Sequence, residues 1–116
     1  MIDEQLRDYE ALKPWTFLFL DAFSLERDLD GAHDSPYRLR IRLAQAVDDN
    51  TERLEVEFVG VRGLKCGELD RPFNSHLQIL DVSQDQLDGI SFRVVEEENE
   101  MFSFWCSNFR IVDSEP

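Results

Sequence analysis

The sequence contains few of the residues that mark a disulfide scaffold, a metal centre or a cationic surface. Two cysteines, two histidines and 12 basic residues occur among its 116 residues. Two cysteines cannot form a disulfide framework, so we expect Cys66 and Cys106 to be buried free thiols. The basic residues are outnumbered by 25 acidic residues, which gives a formal charge of −13. This charge opposes binding to phosphate backbones and anionic lipids, so we expect no nucleic-acid partner.

Long apolar segments are also missing. The longest apolar run covers residues 17–20, whereas a helix that crosses a bilayer needs about 20 such residues. The amino-terminal residues are acidic, unlike the basic start and apolar stretch of a secretory signal. We therefore expect a cytoplasmic protein with no membrane partner. The length and the hydrophobic content of 42% predict a single domain over residues 1–116.

The clearest pattern lies between Tyr37 and Val61 and predicts a β-hairpin. Apolar and charged residues alternate on both sides of a polar corner at residues 48–51. Because side chains alternate between the two faces of a strand, one face of the hairpin is apolar and the other is charged. Cross-strand pairs of opposite charge contribute about 0.2–1 kcal/mol each, so we expect the charged rows to neutralise each other. The charged face is expected to contain Arg38, Arg40, Arg42, Glu55 and Glu57.

A short helix is expected at the amino terminus. The helix is expected from Asp3 to about Leu12, because Ile2, Leu6 and Tyr9 fall at spacings of four and three, which gives a narrow apolar stripe among acidic residues. Pro14 prevents the helix from continuing.

The aromatic residues 15–23 predict a strand that is covered on both faces, with the helix covering one of them. Residues 24–36 are rich in turn-forming residues and predict a loop, with a short strand at residues 24–27 as an option. Farther along the chain, Gly60, Gly63 and Gly67 predict a bulge or a close backbone approach after the hairpin.

Three more strands are expected, at residues 76–82, 90–95 and 101–112. The Asp-Gly pair at residues 88–89 predicts the turn between the first two. Together the patterns predict a mainly β fold, at the margin of α+β. In this fold a single antiparallel meander sheet curls into a sandwich or a partial barrel, with one short N-terminal helix.

The sequence contains no motif for catalysis or for metal binding. Acidic residues alternate before Gly31 as in a calcium loop, but Tyr37 stands where such a loop needs its bidentate glutamate. The candidate zinc ligands lack metal-binding spacing, and the acidic surroundings are expected to raise the pKa of a thiol and so lower its reactivity. We therefore predict no catalytic residue, no metal and no cofactor. The candidate zinc ligands are His33, Cys66, His76 and Cys106.

Most aromatic residues are expected in the core, and Trp105 is the exception. It alternates with Phe102 and Phe104, so it lies on the opposite face, where either the helix covers it or a partner binds it. Acidic residues in two corners cannot be buried and are the other candidate contacts. The candidate partner-binding residues are Trp105, Asp48, Asp49, Glu96, Glu97 and Glu98. The expected core aromatics are Trp15, Phe17, Phe19, Phe23, Phe92, Phe102, Phe104 and Phe109.

Four segments of the second half carry a resemblance to a known group of proteins. They are the strand and turn sequences at residues 54–64, 77–83, 87–94 and 102–111. Together they resemble small uncharacterised bacterial β-rich proteins, some of which are described as immunity proteins of polymorphic toxin systems. The resemblance covers about residues 37–112 and includes no catalytic residue. It implies a β-rich fold and a protein partner.

Three functions remain open at the level of the sequence. The first is an acidic cytoplasmic binding protein, not an enzyme, of the immunity type, which occludes a basic toxin or another basic protein. The second is a small ligand-binding domain or enzyme whose site would use Cys66, His76 and Arg93. The third is a structural subunit of a homo-oligomer that pairs through a sheet edge.

Overall fold

Eight strands and one helix form the framework of the part of the chain that the computed structural model describes. The structure describes residues 2–27, 37–46, 51–67, 77–85, 89–96 and 102–112. Short 3₁₀ turns cover Pro14–Thr16 and Ser83–Asp85. The helix and strands are α1 (Ile2–Ala11), β1 (Phe19–Arg27), β2 (Tyr37–Ala44), β3 (Arg53–Val59), β4 (Arg62–Cys66), β5 (Gln78–Asp81), β6 (Phe92–Val95), β7 (Phe102–Cys106) and β8 (Asn108–Val112).

The strands form two antiparallel sheets of four strands each. Sheet 1 has the order β1-β2-β3-β8, and sheet 2 has the order β4-β7-β6-β5. Aromatic rings of the two sheets meet edge to face, with centroids 4.9 Å apart for both Phe58–Phe104 and Phe92–Phe109. Such pairs add about 0.5–1.5 kcal/mol each beyond their burial. The predicted mainly β, antiparallel fold with one N-terminal helix is confirmed, in its sandwich form, but the strands form two sheets instead of the predicted single meander sheet.

The chain passes between the sheets at one corner, which is built from Gly60 and Ser107. β3 leads into β4 at Gly60, and β7 leads into β8 at Ser107. Ser107 donates both its amide N–H and its hydroxyl to the Val59 carbonyl, at 3.0 and 2.9 Å. Gly60 has φ +69°, and a Cβ placed there would lie 2.4 Å from Ser107 Oγ. The predicted close backbone approach is confirmed, but the predicted single strand over residues 101–112 is wrong because it changes sheets at Ser107.

The hairpin predicted over residues 37–61 is confirmed as β2 and β3. Arg40 lies opposite Glu57, and Arg42 lies opposite Glu55. Leu39 and Ile41 on the other face are fully buried. The register therefore places the apolar row in the core and the charged row on the outer surface.

β1 differs from its prediction because it is an edge strand. Its last seven residues are exposed, and it pairs only with β2 in sheet 1. Phe17 is buried, but Trp15 and Phe23 are 50% and 41% exposed, so their assignment to the core is wrong. Phe19 is half-buried and pairs with Ala44, whereas Leu20 pairs with the inward Leu43 and packs against the core, so Phe19 is not a core residue either. The optional strand at residues 24–27 is present as the end of β1.

α1 packs near β8 and β5 instead of covering β1. Tyr9 is buried, contacts the Phe109 ring and donates its hydroxyl to the Leu77 carbonyl. Gln5 donates to Asn108 Oδ1 and to the Phe109 carbonyl, both at 2.9 Å. These contacts tie the helix to both sheets. The helix ends at Ala11, and Lys13 takes a left-handed conformation before Pro14.

Candidate partner-binding surfaces

Trp105 lies on the outer face of sheet 2, where the sequence predicted it. Its ring packs over Gly63 of β4, since a Cβ at Gly63 would lie 3.0 Å from the ring atoms Cε3 and Cζ3. The Arg93 guanidinium stacks on the ring, with Cζ 4.1 Å from the ring centroid. Arg93 also donates to the Phe104 carbonyl at 3.2 Å and to Ser103 Oγ at 2.7 Å. The indole and the guanidinium therefore hold each other in place.

The outer face of sheet 2 is cationic among the residues that the structure describes. Register places Arg62 opposite Trp105, Lys65 opposite Ser103 and Arg93 opposite Trp105, so all three basic side chains share the Trp105 face. Leu80, opposite Arg93, is exposed on the same face. None of the described strand residues that point outward from this sheet is acidic. We call this surface the Trp105 face. Its outward residues are Arg62, Lys65, Gln78, Leu80, Arg93, Val95, Ser103 and Trp105.

The outer face of sheet 1 has both signs of charge, and they pair with each other. Glu57 accepts from Arg40 Nε at 2.8 Å and from Arg110 Nε at 2.9 Å. Asp21 lies 2.6 Å from Arg42 Nε and 3.0 Å from Arg53 Nε. The predicted mutual neutralisation of the charged rows is confirmed, and β1 and β8 extend it by supplying Asp21 and Arg110.

Glu57 is the most buried acid of the sheet 1 pairs. Burial raises the pKa of its carboxyl group, but the hydrogen bonds and charges of Arg110 and Arg40 outweigh this, so the pKa is lowered overall. The same contact raises the pKa of Arg110. Glu57 is therefore ionised at neutral pH and holds three neighbouring strands together.

A shallow cavity of about 200 Å³ lies on the outer side of β1 and β2. The arginines that line it, Arg40 and Arg42, already form ion pairs with Glu57 and Asp21. Charges that neutralise one another offer little to an added ligand. The cavity therefore does not favour the ligand-binding alternative.

The acidic contact residues predicted from the sequence fall into two groups. Glu96 is fully buried, so the expectation that the glutamate run cannot be buried is wrong at this position. Its amide N–H donates to the Phe102 carbonyl, which extends the β6–β7 pairing by one residue. Phe92 and Val94 point inward, and strand alternation carries Glu96 to the same side. The other four, Asp48, Asp49, Glu97 and Glu98, lie outside the described residues.

The cysteines do not form a reactive site. Cys106 is buried as expected, but Cys66 is exposed near the end of the edge strand β4. Partial burial raises the pKa of the Cys66 thiol. The fuller burial of Cys106 raises the pKa of its thiol to about 12. The direction agrees with the prediction, although burial and not the acidic surroundings is the cause. Within the described residues, no cluster of three or more His, Cys, Asp and Glu side chains could hold a metal ion.

The alternative site is not assembled by the part of the chain that the structure describes. Cys66 pairs with Phe102 and Arg93 pairs with Trp105, so they lie at different positions along β7. His76 and His33 are outside the described residues.

No helix in the part of the chain that the structure describes is long and apolar enough to cross a membrane.

Sequence reasoning found Trp105 but missed its cationic neighbours. Alternation around Phe92 and Val94 could have placed Arg93 outward. Arg62 and Lys65 are three apart, which conceals that they share a face. The register shift between them, next to Gly63 with φ +65°, brings both outward.

The amino-acid sequence matches the model of a known family. Residues 1–112 match the model of the family described as immunity protein PIM8. The chain belongs to the PIM8 immunity protein family. The match includes α1, which the sequence resemblance left out, and it supports an immunity-type function. A search of the curated proteins and a search of the solved structures gave no match.

Proposed function

We propose that this protein is a cytoplasmic, non-enzymatic immunity protein that binds a basic toxin and occludes it. Membership of the PIM8 family over residues 1–112 is the observation that carries the proposal. The structural framework supports it, since the described residues contain strand pairings, ion pairs and a packed core but no metal-ligand cluster.

The distribution of charge supports a basic partner. The formal charge of the chain is −13. The described residues contain 12 acidic and 11 basic residues, so their net charge is only −1. The remaining segments contain 13 acidic residues and a single basic residue, Arg71. The electrostatic field of a chain with this net charge attracts a cationic partner over about one Debye length and speeds its association.

Protection of living cells tests the immunity function. Each protein encoded beside the gene of this protein would be expressed in bacteria to find the one that kills the cells, and viable counts with and without this protein would be compared. We expect this protein to restore growth and to form a complex with the purified toxin. Unchanged killing together with no complex between the purified proteins would contradict the proposal.

A pair of charge variants tests whether the acidic candidates contact the toxin. Asp48→Asn with Asp49→Asn removes two charges at a predicted contact, and Asp8→Asn with Glu10→Gln removes two from the helix. We expect the first variant to raise the Kd for the toxin by about fivefold and the second by less than about twofold. Equal effects would show that only the total charge matters and that Asp48 and Asp49 are not contacts.

A further inference from the structure

We propose that the toxin adds an extended segment to the exposed edge of sheet 1, alongside β1. This inference rests on the proposed function, because it assigns how the same partner is held. The segment forms main-chain hydrogen bonds with residues 22–26 and packs its apolar side chains on Phe23 and Leu25. Its chemistry is therefore that of a strand with apolar residues at alternate positions and basic residues at one end.

The exposure of β1 carries the argument. All seven residues from Asp21 to Arg27 are exposed, whereas the neighbouring strand β2 buries four of its eight residues. Among the described strands, β1 pairs only with β2. A strand with neighbours on both sides buries the side chains that face the core. The free side of β1 is therefore open to solvent along these seven residues.

Two apolar side chains of β1 point to the core side of the sheet and still remain exposed. Phe23 lies opposite Ile41, and Leu25 lies opposite Leu39. Both residues of β2 are fully buried, but Phe23 and Leu25 are 41% and 45% exposed. Tyr37, next to them on the same side, is 40% exposed. A segment beside β1 would bury this apolar patch, and contiguous patches of this kind mark interaction sites.

The middle of the β1 edge lacks the features that usually prevent strand addition. Such features are proline, lysine, bulges and charges that point inward. Residues 22–25 contain none of them. The bulge at Asp21 limits the regular edge on one side, and Arg27, opposite Tyr37, limits it on the other. The open stretch therefore covers residues 22–26, which corresponds to about 17 Å of extended chain.

The charge of the chain favours the toxin over a second copy as the occupant of this edge. Two copies each carry a formal charge of −13, so their repulsion opposes pairing of β1 with itself. Residues 28–36, which directly follow β1 in the sequence, contain three acidic residues and no lysine or arginine. Basic residues at the adjacent end of an added strand are complementary to these acids. A basic toxin can supply them, and a second copy of this acidic chain is repelled.

Amide hydrogen exchange of the unaltered protein, measured by NMR with and without the toxin, tests strand addition directly. In an antiparallel edge strand the hydrogen bonds to the neighbour occur at alternate residues, so the remaining amides face solvent. We expect the solvent-facing amides within residues 22–26 to exchange at least about tenfold more slowly in the complex. The solvent-facing amides of the β5 edge are the control and should change by less than about threefold.

Matched substitutions test the same edge through affinity. Leu25→Lys places a charge on the core side of the β1 edge, and Leu12→Lys makes the same change at an exposed leucine just after α1. Both variants reduce the net negative charge by one, so they weaken long-range attraction to a basic toxin equally. We expect Leu25→Lys to raise the Kd by about twentyfold and Leu12→Lys by less than about threefold. Thermal unfolding verifies that each variant is folded, and the exchange measurement needs no variant.

The outcomes distinguish this inference from the proposed function. If the unaltered protein forms no complex with the toxin, the proposed function is wrong and the inference falls with it. If the complex forms but the β1 amides exchange as before and Leu25→Lys binds as well as Leu12→Lys, the inference alone is wrong. A stable dimer of the unaltered protein in sedimentation, lost in Leu25→Lys, would assign the edge to a second copy and would also overturn the inference.

Discussion

Glu57 shows how a single residue links three strands of sheet 1. It accepts hydrogen bonds from Arg40 on β2 and Arg110 on β8, and its side chain is only 6% exposed, whereas those of the arginines are 44% and 62% exposed. Substitution by Gln removes the charge but leaves both arginines in contact with water. We expect Glu57→Gln to lower the free energy of unfolding by about 1–2 kcal/mol at pH 7. Denaturant unfolding measures this value, with the exposed Glu52→Gln as the control.

The same variant should show a defined pH dependence. The pKa of Glu57 is lowered in the folded protein, so its charge stabilises the fold above the pKa of the unfolded chain. This stabilisation is lost as the pH falls through the lower folded pKa. The difference in stability between the unaltered protein and Glu57→Gln should therefore shrink below roughly pH 4. A difference that grows on acidification would contradict the ion-pair assignment.

Gly60 is required by both its backbone conformation and the space around it. Gly60→Ala adds a Cβ that meets Ser107 Oγ at 2.4 Å and places a side chain at φ +69°. We expect it to lower the free energy of unfolding by about 2 kcal/mol or more. The exposed Gly67→Ala should cost less than about 0.5 kcal/mol. Adding Ser107→Gly to Gly60→Ala should recover part of the loss, and no recovery would show that the clash is not a cause.

Residues with strong alternation were predictable from the sequence, and those governed by distant contacts were not. The pairing of Arg40 with Glu57 follows from period-two patterns in two neighbouring strands. The burial of Glu96 follows from alternation too, but the surrounding glutamates pointed to an exposed corner. Nothing local marks Ser107 as the residue at which a regular strand leaves one sheet for the other.

At the level of secondary structure elements, one buried hydroxyl connects α1 to the residue that precedes β5. Tyr9 is 1% exposed and donates to the Leu77 carbonyl next to β5. Tyr9→Phe keeps the ring contact with Phe109 but leaves the carbonyl without this donor. We expect a loss of about 1–3 kcal/mol in the free energy of unfolding. Tyr37→Phe, at a 40% exposed tyrosine, is the control, and an equal effect of the two variants would contradict this role.

The outer face of sheet 1 should matter for folding more than for toxin binding. Arg40→Glu places a third acid beside Glu57 and Glu55, which lie 2.8 and 4.0 Å from Arg40 atoms. We expect it to lower the free energy of unfolding by about 2 kcal/mol and to leave the Kd for the toxin within about threefold. A large rise in Kd with unchanged thermal unfolding would show that this face is a binding surface instead.

The position of an element within a sheet was harder to predict than its existence. Periodicity predicts the helix and most strands. An aromatic run such as residues 15–23, however, is compatible with both a central strand and an edge strand. β1 is an edge strand because sheet 1 continues from β3 to β8 and not beyond β1. That order depends on the change of sheets at Ser107, and the pattern around β1 carries no information about it.

The whole molecule combines a nearly neutral framework with strongly acidic remaining segments. Long-range attraction is a property of the total charge, whereas the register of the bound partner depends on local complementarity. The total charge could be calculated from the composition. The cationic face could not be predicted, because identifying its residues requires the register of four strands.

The central claim is that this PIM8 family member neutralises a basic toxin by direct binding. Calorimetric titration of this protein with the purified toxin tests this claim most directly. We expect saturable binding whose Kd rises by about tenfold or more between low and high salt, because complementary charges are screened. Uncharged osmolyte at matched osmolality should leave the Kd unchanged. No binding at low salt by a folded protein and an active toxin would contradict the claim, and a Kd that is insensitive to salt would contradict its electrostatic basis.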